Sequence, residues 1–191
     1  PAARPTEAQA VRFLAQSTFG ASAADTAKLQ QLGYGDWIEQ QFQVPRTNHL
    51  DFVLGVYPLP TPDGVTVTID QSFWKQAVTG IDPLRQRVTF ALSQIFVVSA
   101  ADPALQSAPH TLASYVDTLS AHAFGNYREL LEAVTLHPAM GQYLTWIANR
   151  GDGTRVPDEN YAREVMQLFS IGLVQLNVDG TPKLVNGQPV D

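Results

Sequence analysis

Apolar residues recur at three- and four-residue spacing along most of this chain, and that period predicts a series of amphipathic helices. Thr6-Glu7-Ala8-Gln9 has the form of a capping box, opening a helix that turns Val11, Phe13 and Leu14 inward and ends at Phe19-Gly20. A second helix is expected from about Ser22 to Leu32, closed by Gly33, and a third carries Trp37, Ile38 and Phe42. Asp82-Pro83 is an N-cap followed by proline at the first helical position. The helix it opens places Leu84, Val88, Ala91, Leu92 and Ile95 on one stripe, with Phe90, Phe96, Val97 and Val98 on its other sides. Its second half is therefore predicted to be buried on most faces. Further helices are expected over 109–124, with Leu112, Tyr115, Val116 and Leu119 inward, and over 127–136, capped by Asn126. Pro138 forces a break or a new helix carrying Met140, Tyr143, Leu144 and Ile147, and Pro157-Asp158 opens a last helix ending at Gly172.

Two stretches depart from this period. Between Pro45 and Asp70, Pro58, Pro60, Pro62 and Gly64 oppose helix, and Val65-Thr66-Val67-Thr68-Ile69 has strand composition. This is expected to be a surface excursion, with Trp74 just beyond it seeking a core. After Gly172, Val174–Val178 and Lys183–Val185 alternate with Asp179-Gly180 and Asn186-Gly187, which are hairpin turn signals. The predicted class is mainly α: an irregular multi-helix array with a small terminal β-hairpin element. Residues 1–191 are expected to form a single α-helical domain or the N-terminal fragment of a larger one.

Composition narrows the chemistry. A 45% apolar fraction with 16% charged residues suits a packed core, and the net charge of −6 disfavours nucleic acid and anionic lipid as partners. There is no cysteine, which excludes disulfides, zinc–thiolate sites, iron–sulfur clusters and cysteine nucleophiles from this stretch. Ile95–Val98 is the longest unbroken apolar run, far below the roughly 20 residues of a membrane span. The first residue is Pro1 rather than Met, so a longer precursor is expected.

Three stretches in order carry a family resemblance: Phe13-Leu14-Ala15-Gln16-Ser17-Thr18-Phe19-Gly20, then residues 85–96 (RQRVTFALSQIF), then His122-Ala123-Phe124-Gly125-Asn126-Tyr127-Arg128 with Leu136-His137-Pro138-Ala139-Met140 and residues 158–164 (DENYARE). Together they resemble the bacterial family catalogued as "domain of unknown function 1800". The resemblance spans nearly the whole chain outside Pro45–Asp70. It implies a large protein, typically more than twice this length and commonly exported, so a secreted or periplasmic location and a further C-terminal portion of the same protein are expected. It implies no activity and no catalytic residues.

The densest chemistry lies on the last helix. Tyr161, Val165, Leu168 and Phe169 form its expected core stripe, leaving Glu159, Asn160, Arg163, Glu164 and Gln167 on the other side. Glu164 sits at the border of the apolar stripe, where partial burial would suit it to general acid work, with Asn160 and Arg163 positioning a substrate. The plainer reading is a solvated face with a Glu159–Arg163 helix ion pair. Among His49, His110, His122 and His137 there is no i, i+4 pair and no His-Glu-x-x-His, so no metal site is assigned. His137 precedes Pro138 and is expected to cap a helix end; were it to meet Glu164 in space, the two would form an acid/base or ligand pair. His122 is expected to be a satisfied, half-buried histidine. Arg85 and Arg87 are expected to pair with a carboxylate or cap a neighbouring helix, with substrate anchoring the alternative. Arg150-Gly151-Asp152 and Asn177-Val178-Asp179-Gly180-Thr181 read as turns. No nucleophile elbow, phosphate loop or dinucleotide motif is present, and the cofactor is left unknown.

Two function classes remain: an exported hydrolase- or lyase-like enzyme acting on a polymer such as a glycan, with Glu164, Arg163, Asn160 and His137 as its machinery, and a noncatalytic exported scaffold that binds a polysaccharide or a protein. A metal or haem redox protein using His137 or His122 is a third.

Overall fold

The computed structural model describes residues 4–56, 69–170 and 172–190. Among them are eleven helices: α1 (Glu7–Ser17), α2 (Ala23–Leu32), α3 (Tyr34–Gln43), α4 (His49–Val56), α5 (Ile69–Thr79), α6 (Pro83–Ile95), α7 (Pro103–Gln106), α8 (Pro109–Ala121), α9 (Tyr127–Leu136), α10 (Pro138–Tyr143) and α11 (Asn160–Gln167). A two-stranded antiparallel hairpin, β1 (Leu184–Val185) and β2 (Gln188–Pro189), follows. The chain is mainly α with a small terminal hairpin.

Local signals set most helix ends. Thr6 and Gln9 form the reciprocal capping box of α1, Ser22 and Asp25 form another for α2, and Asn126 Oδ1 accepts from the Arg128 and Glu129 amides at the start of α9. Gly33 closes α2 at φ 85°, a conformation that favours glycine. Asn186 and Gly187, at φ 53° and 78°, make the hairpin turn between β1 and β2.

α8 is the hub, packing against α4, α5, α6, α7, α9 and α10. Its Leu112, Tyr115 and Leu119 join Phe96, Leu105, Leu130, Val134, Met140 and Phe169 in the largest core cluster. Burial of each large side chain there contributes about 1.5–3 kcal/mol before conformational entropy is subtracted. A second cluster of Ala10, Leu14, Leu29 and Trp37 holds α1, α2 and α3 together, and a third joins Val53 of α4 to Ala113 of α8.

Three expectations are corrected. The Pro45–Asp70 stretch contains a helix, α4, and its last two residues begin α5; Val65–Thr68 of the expected strand lie outside the described residues. Trp74 is 64% exposed rather than in a core. Most informative is α6, whose expected stripe is not its buried one. Leu84, Val88 and Leu92 are half-buried and Ala91 and Ile95 exposed, whereas Asp82, Gln86 and Thr89 are buried. The polar residues go inward because they meet polar partners there. Asp82 is the N-cap residue by position, yet its carboxylate caps no α6 backbone amide and instead accepts from the Thr47 amide at 3.0 Å, the Thr47 hydroxyl at 2.5 Å and the Gln86 side-chain amide at 3.1 Å.

Replacing Asp82 with Ala strands those donors in the interior. The expected loss is about 3 kcal/mol of unfolding free energy. Urea denaturation of the variant measures it, and a loss below about 1 kcal/mol would show that the Thr47–Asp82 tie does not hold the 44–50 loop in place.

Candidate functional site

The buried polar chain starting at Asp82 continues to His49, the first residue of α4. Gln86 Nε2 donates to Thr47 O at 3.3 Å and to Asp82, which fixes its amide so that Oε1 faces the His49 ring at 3.0 Å from Nε2. Nε2 therefore carries the histidine proton, and Nδ1, 2.9 Å from Ser72 Oγ, accepts from that hydroxyl. Burial is the main cause that lowers the His49 pKa, outweighing Gln86, Asp117 and Asp82, so the ring stays neutral. Asp117, reaching from α8, accepts the His49 and Leu50 amides at 2.7 and 2.9 Å and thereby caps α4 from 67 and 68 residues away in sequence. Burial raises the Asp117 pKa above the usual carboxylate range even with those two amides opposing it.

Above this network lies a cavity of about 410 Å³ between α5, α6 and α8. His49, Gln86, Thr89, Phe96, Leu112 and Tyr115, all buried, contribute to its lining, together with the half-buried Val116. Trp74, Phe90 and Val97 line it too but stand 64%, 37% and 43% exposed, so they form its rim. The rings interlock: Phe73 lies 5.3 Å from Trp74 and 5.6 Å from Phe90, and Phe19 lies 5.4 Å from Phe73. A half-enclosed, largely apolar cavity of this size with a few convergent polar groups has the form of a small-ligand site. Ser72 and His49 resemble a nucleophile–base pair in spacing, but Ser72 is fully buried and the pair joins α5 to α4.

The residues singled out on the last helix lie elsewhere. Glu159 and Arg163 pair at 3.8 Å, and Arg163 also donates to Asn160 Oδ1 at 3.3 Å. With side chains 75% and 51% exposed, that pair contributes a few tenths of a kcal/mol. The helix spans Asn160–Gln167, shorter than the expected 158–172. Asp158 Oδ1 receives the Asn160 amide at its start, and at its end Phe169 N bonds to Glu164 O and Gly172 N to Met166 O. That wide closing turn carries Phe169 into the core against Phe96, with ring centroids 5.0 Å apart, and leaves Leu168 63% exposed, so Leu168 leaves the expected stripe. Glu164 is half-buried, and its Oε2 has no hydrogen-bond partner although it is shielded from solvent.

His137 caps α10: its Nδ1 accepts the Ala139 amide at 3.1 Å, leaving the Nε2 proton to face Ser114 Oγ at 3.1 Å. The helix-end capping expected of His137 is thus made through a backbone amide. Burial lowers its pKa. His137 and the α8 C-cap residue His122 line one open cleft of about 530 Å³ with Arg46, Asp51 and Asp117; Asn160, Arg163 and Glu164 do not line it. Arg85 and Arg87 each donate to a carbonyl in the last turns of a helix, Ser120 O of α8 at 3.0 Å and Gln16 O of α1 at 3.2 Å. Their planes lie over Phe124 at 4.4 Å and Phe19 at 5.3 Å. Helix capping, one of the two structural roles expected of them, is what they do. Asp179 accepts the Thr181 amide and hydroxyl in a turn, as expected of that loop. Among the described residues, no group of three or more His, Cys, Asp or Glu side chains is placed to hold a metal. Among the same residues, no helix is long and apolar enough to cross a membrane.

A multi-helix protein with an apolar cavity over a polar floor is the class these features define. The family described as Protein of unknown function (DUF1800) matches residues 12–187, and the chain belongs to it. No curated protein and no solved structure matches the chain.

His49 and His137 both have pKa values lowered by folding, so the unfolded chain binds more protons below about pH 6.5 and stability falls as pH falls through that point. Asp117, raised by folding, acts with the opposite sign nearer the carboxylate range. The melting temperature should therefore drop between about pH 7 and pH 5.5, and His137→Asn, which keeps a capping acceptor but cannot titrate, should flatten part of that drop. A melting temperature independent of pH across this window would contradict the neutral assignment of both rings.

Proposed function

We propose that this chain is part of an exported, noncatalytic binding protein that takes a small apolar ligand, or the apolar end of a larger one, into the cavity between α5, α6 and α8. The observation that carries this reading is the combination of an aromatic rim with a floor whose polar groups are already bonded to one another. A floor of that kind holds no group free for proton transfer, which supports binding rather than turnover. It also favours an apolar occupant over a sugar, since each hydroxyl of a glycan would need a partner on entering. Export enters on the family resemblance, and a chain without cysteine is compatible with it.

A second reading rests on a separate observation, the shielded and unpartnered Oε2 of Glu164. An orphaned carboxylate oxygen calls for an explanation, and a general acid or base of a polymer-cleaving hydrolase or lyase is one. Asn160 and Arg163 adjoin Glu164 on the same helix, whereas the His137 Nδ1 lone pair is committed to its cap. Under this reading Glu164→Gln removes all release of reducing ends from a panel of soluble glycans while the melting temperature holds within a few degrees. Turnover retained by that variant removes Glu164 from any mechanism.

The binding reading is tested with N-phenyl-1-naphthylamine, a neutral fluorophore that brightens in apolar surroundings. It should bind saturably at one site, and Trp74→Ala, which deletes an exposed wall and spares the core, should weaken binding about tenfold, equivalent to about 1.4 kcal/mol. Absence of saturable binding, or equal binding by the variant, refutes the cavity as a ligand site.

A further inference from the structure

The hydrogen-bond directions around the cavity state more than its size does. The Tyr115 hydroxyl donates to Phe96 O at 2.8 Å, the Thr89 hydroxyl to Arg85 O at 2.8 Å and the Ser93 hydroxyl to Phe90 O at 2.7 Å. The His49 ring proton goes to Gln86 Oε1, and Gln86 spends its amide hydrogens on Thr47 and Asp82. Each of these side chains gives its hydrogen to protein, so what the hydroxyls retain toward the cavity is acceptor capacity. The charged side chain in the lining is Asp70, in the first turn of α5, where it also offsets the positive pole of that helix. Across the cavity, Ser93, Gln94, Phe96, Val97 and Val98 bring the C-terminal end of α6, the negative pole of its dipole. Of the nearby cations, Lys75 lies over Phe52, while Arg87 bonds to Gln16 and lies over Phe19 and, at 5.7 Å, over Phe90.

We infer that the cavity selects by charge, taking a cationic ligand with an aromatic or aliphatic body, such as a substituted ammonium, and rejecting an anion of the same shape. An ammonium group entering at the rim meets the Trp74 and Phe73 rings together with the Asp70 carboxylate, Phe90 being already covered by Arg87. That combination of ring quadrupoles and a carboxylate attracts a weakly hydrated cation. A carboxylate or sulfonate in the same place would receive no hydrogen from the hydroxyls or from the floor, and would face Asp70. Fatty acids and other acidic amphiphiles are therefore excluded as the occupant, although the cavity would suit their chains.

This inference rests on the cavity being the binding site, and one experiment separates the two. Bound N-phenyl-1-naphthylamine is displaced with benzyltrimethylammonium and, in parallel, with phenylmethanesulfonate, which differ in sign around a common ring. The ammonium should compete at least about tenfold more strongly in the wild-type chain at low ionic strength, and Asp70→Asn should shrink that preference severalfold. Equal competition, a preference for the sulfonate, or failure of both to displace a bound fluorophore overturns the charge selection and leaves the cavity standing. Failure of the fluorophore to bind overturns the cavity, and the charge selection with it. A wild-type preference unchanged in Asp70→Asn, with added salt also without effect, overturns the assignment to this carboxylate.

Discussion

The burial of one neutral imidazole, with both of its nitrogens bonded, is the constraint around which this fold is arranged. His49 can enter the interior only if Ser72 and Gln86 are held at hydrogen-bond distance on opposite sides, and those residues belong to α5 and α6. Gln86 can present its oxygen only if its nitrogen is occupied, which Asp82 and Thr47 accomplish. The start of α4 can be buried only if its leading amides are satisfied, which Asp117 of α8 accomplishes. Four helices are thus positioned by a directional network rather than by apolar contact alone. Such a network contributes little net stability per bond, but any other arrangement strands polar groups and costs more, so it selects one geometry.

The same reasoning separates what the sequence discloses from what it conceals. Caps made within four residues were legible: Thr6 with Gln9, Asn126 with the amides that follow it, and the Asn186-Gly187 turn all rest on local chemistry and stand where expected. α4 was not legible as a buried helix start, because the carboxylate that caps it lies in α8. α6 was misread on its buried side for a related reason. Periodicity assigns apolar residues inward by default, and nothing in a one-dimensional pattern reveals that a histidine and a threonine from another segment await Gln86 and Asp82. Asp82, Gln86 and Thr89 do recur at i, i+4 and i+7, but a polar stripe opposite an apolar one is what any solvent-facing amphipathic helix shows.

The candidate residues on α11 show the limit of local reasoning about sites. Their mutual spacing was legible, and the Glu159–Arg163 pair forms with Arg163 also reaching Asn160, but sequence spacing says nothing of what lies beyond the helix surface. The wide turn at Phe169 depends on a pocket beside Phe96, and it alters which residues of the helix end face the core. The cavity was less legible still, since its walls come from helices separated in sequence and its floor from the His49 network.

That shared origin is the reason to connect architecture with binding. Phe90 stands one turn beyond Gln86 on the same side of α6, and with Phe73 and Trp74 of α5 and Val97 just past the end of α6 it frames the opening above the polar floor. The exposed aromatic rim carries a hydrophobic cost in water, and the polar network beneath it fixes the rotation of α6. Because the floor donors are consumed in holding that rotation, the network that builds the cavity also determines the polarity of what can fill it. Fold and selectivity then follow from one set of hydrogen bonds, and a change that frees a donor on the floor, at Gln86 or Thr89, would alter both together.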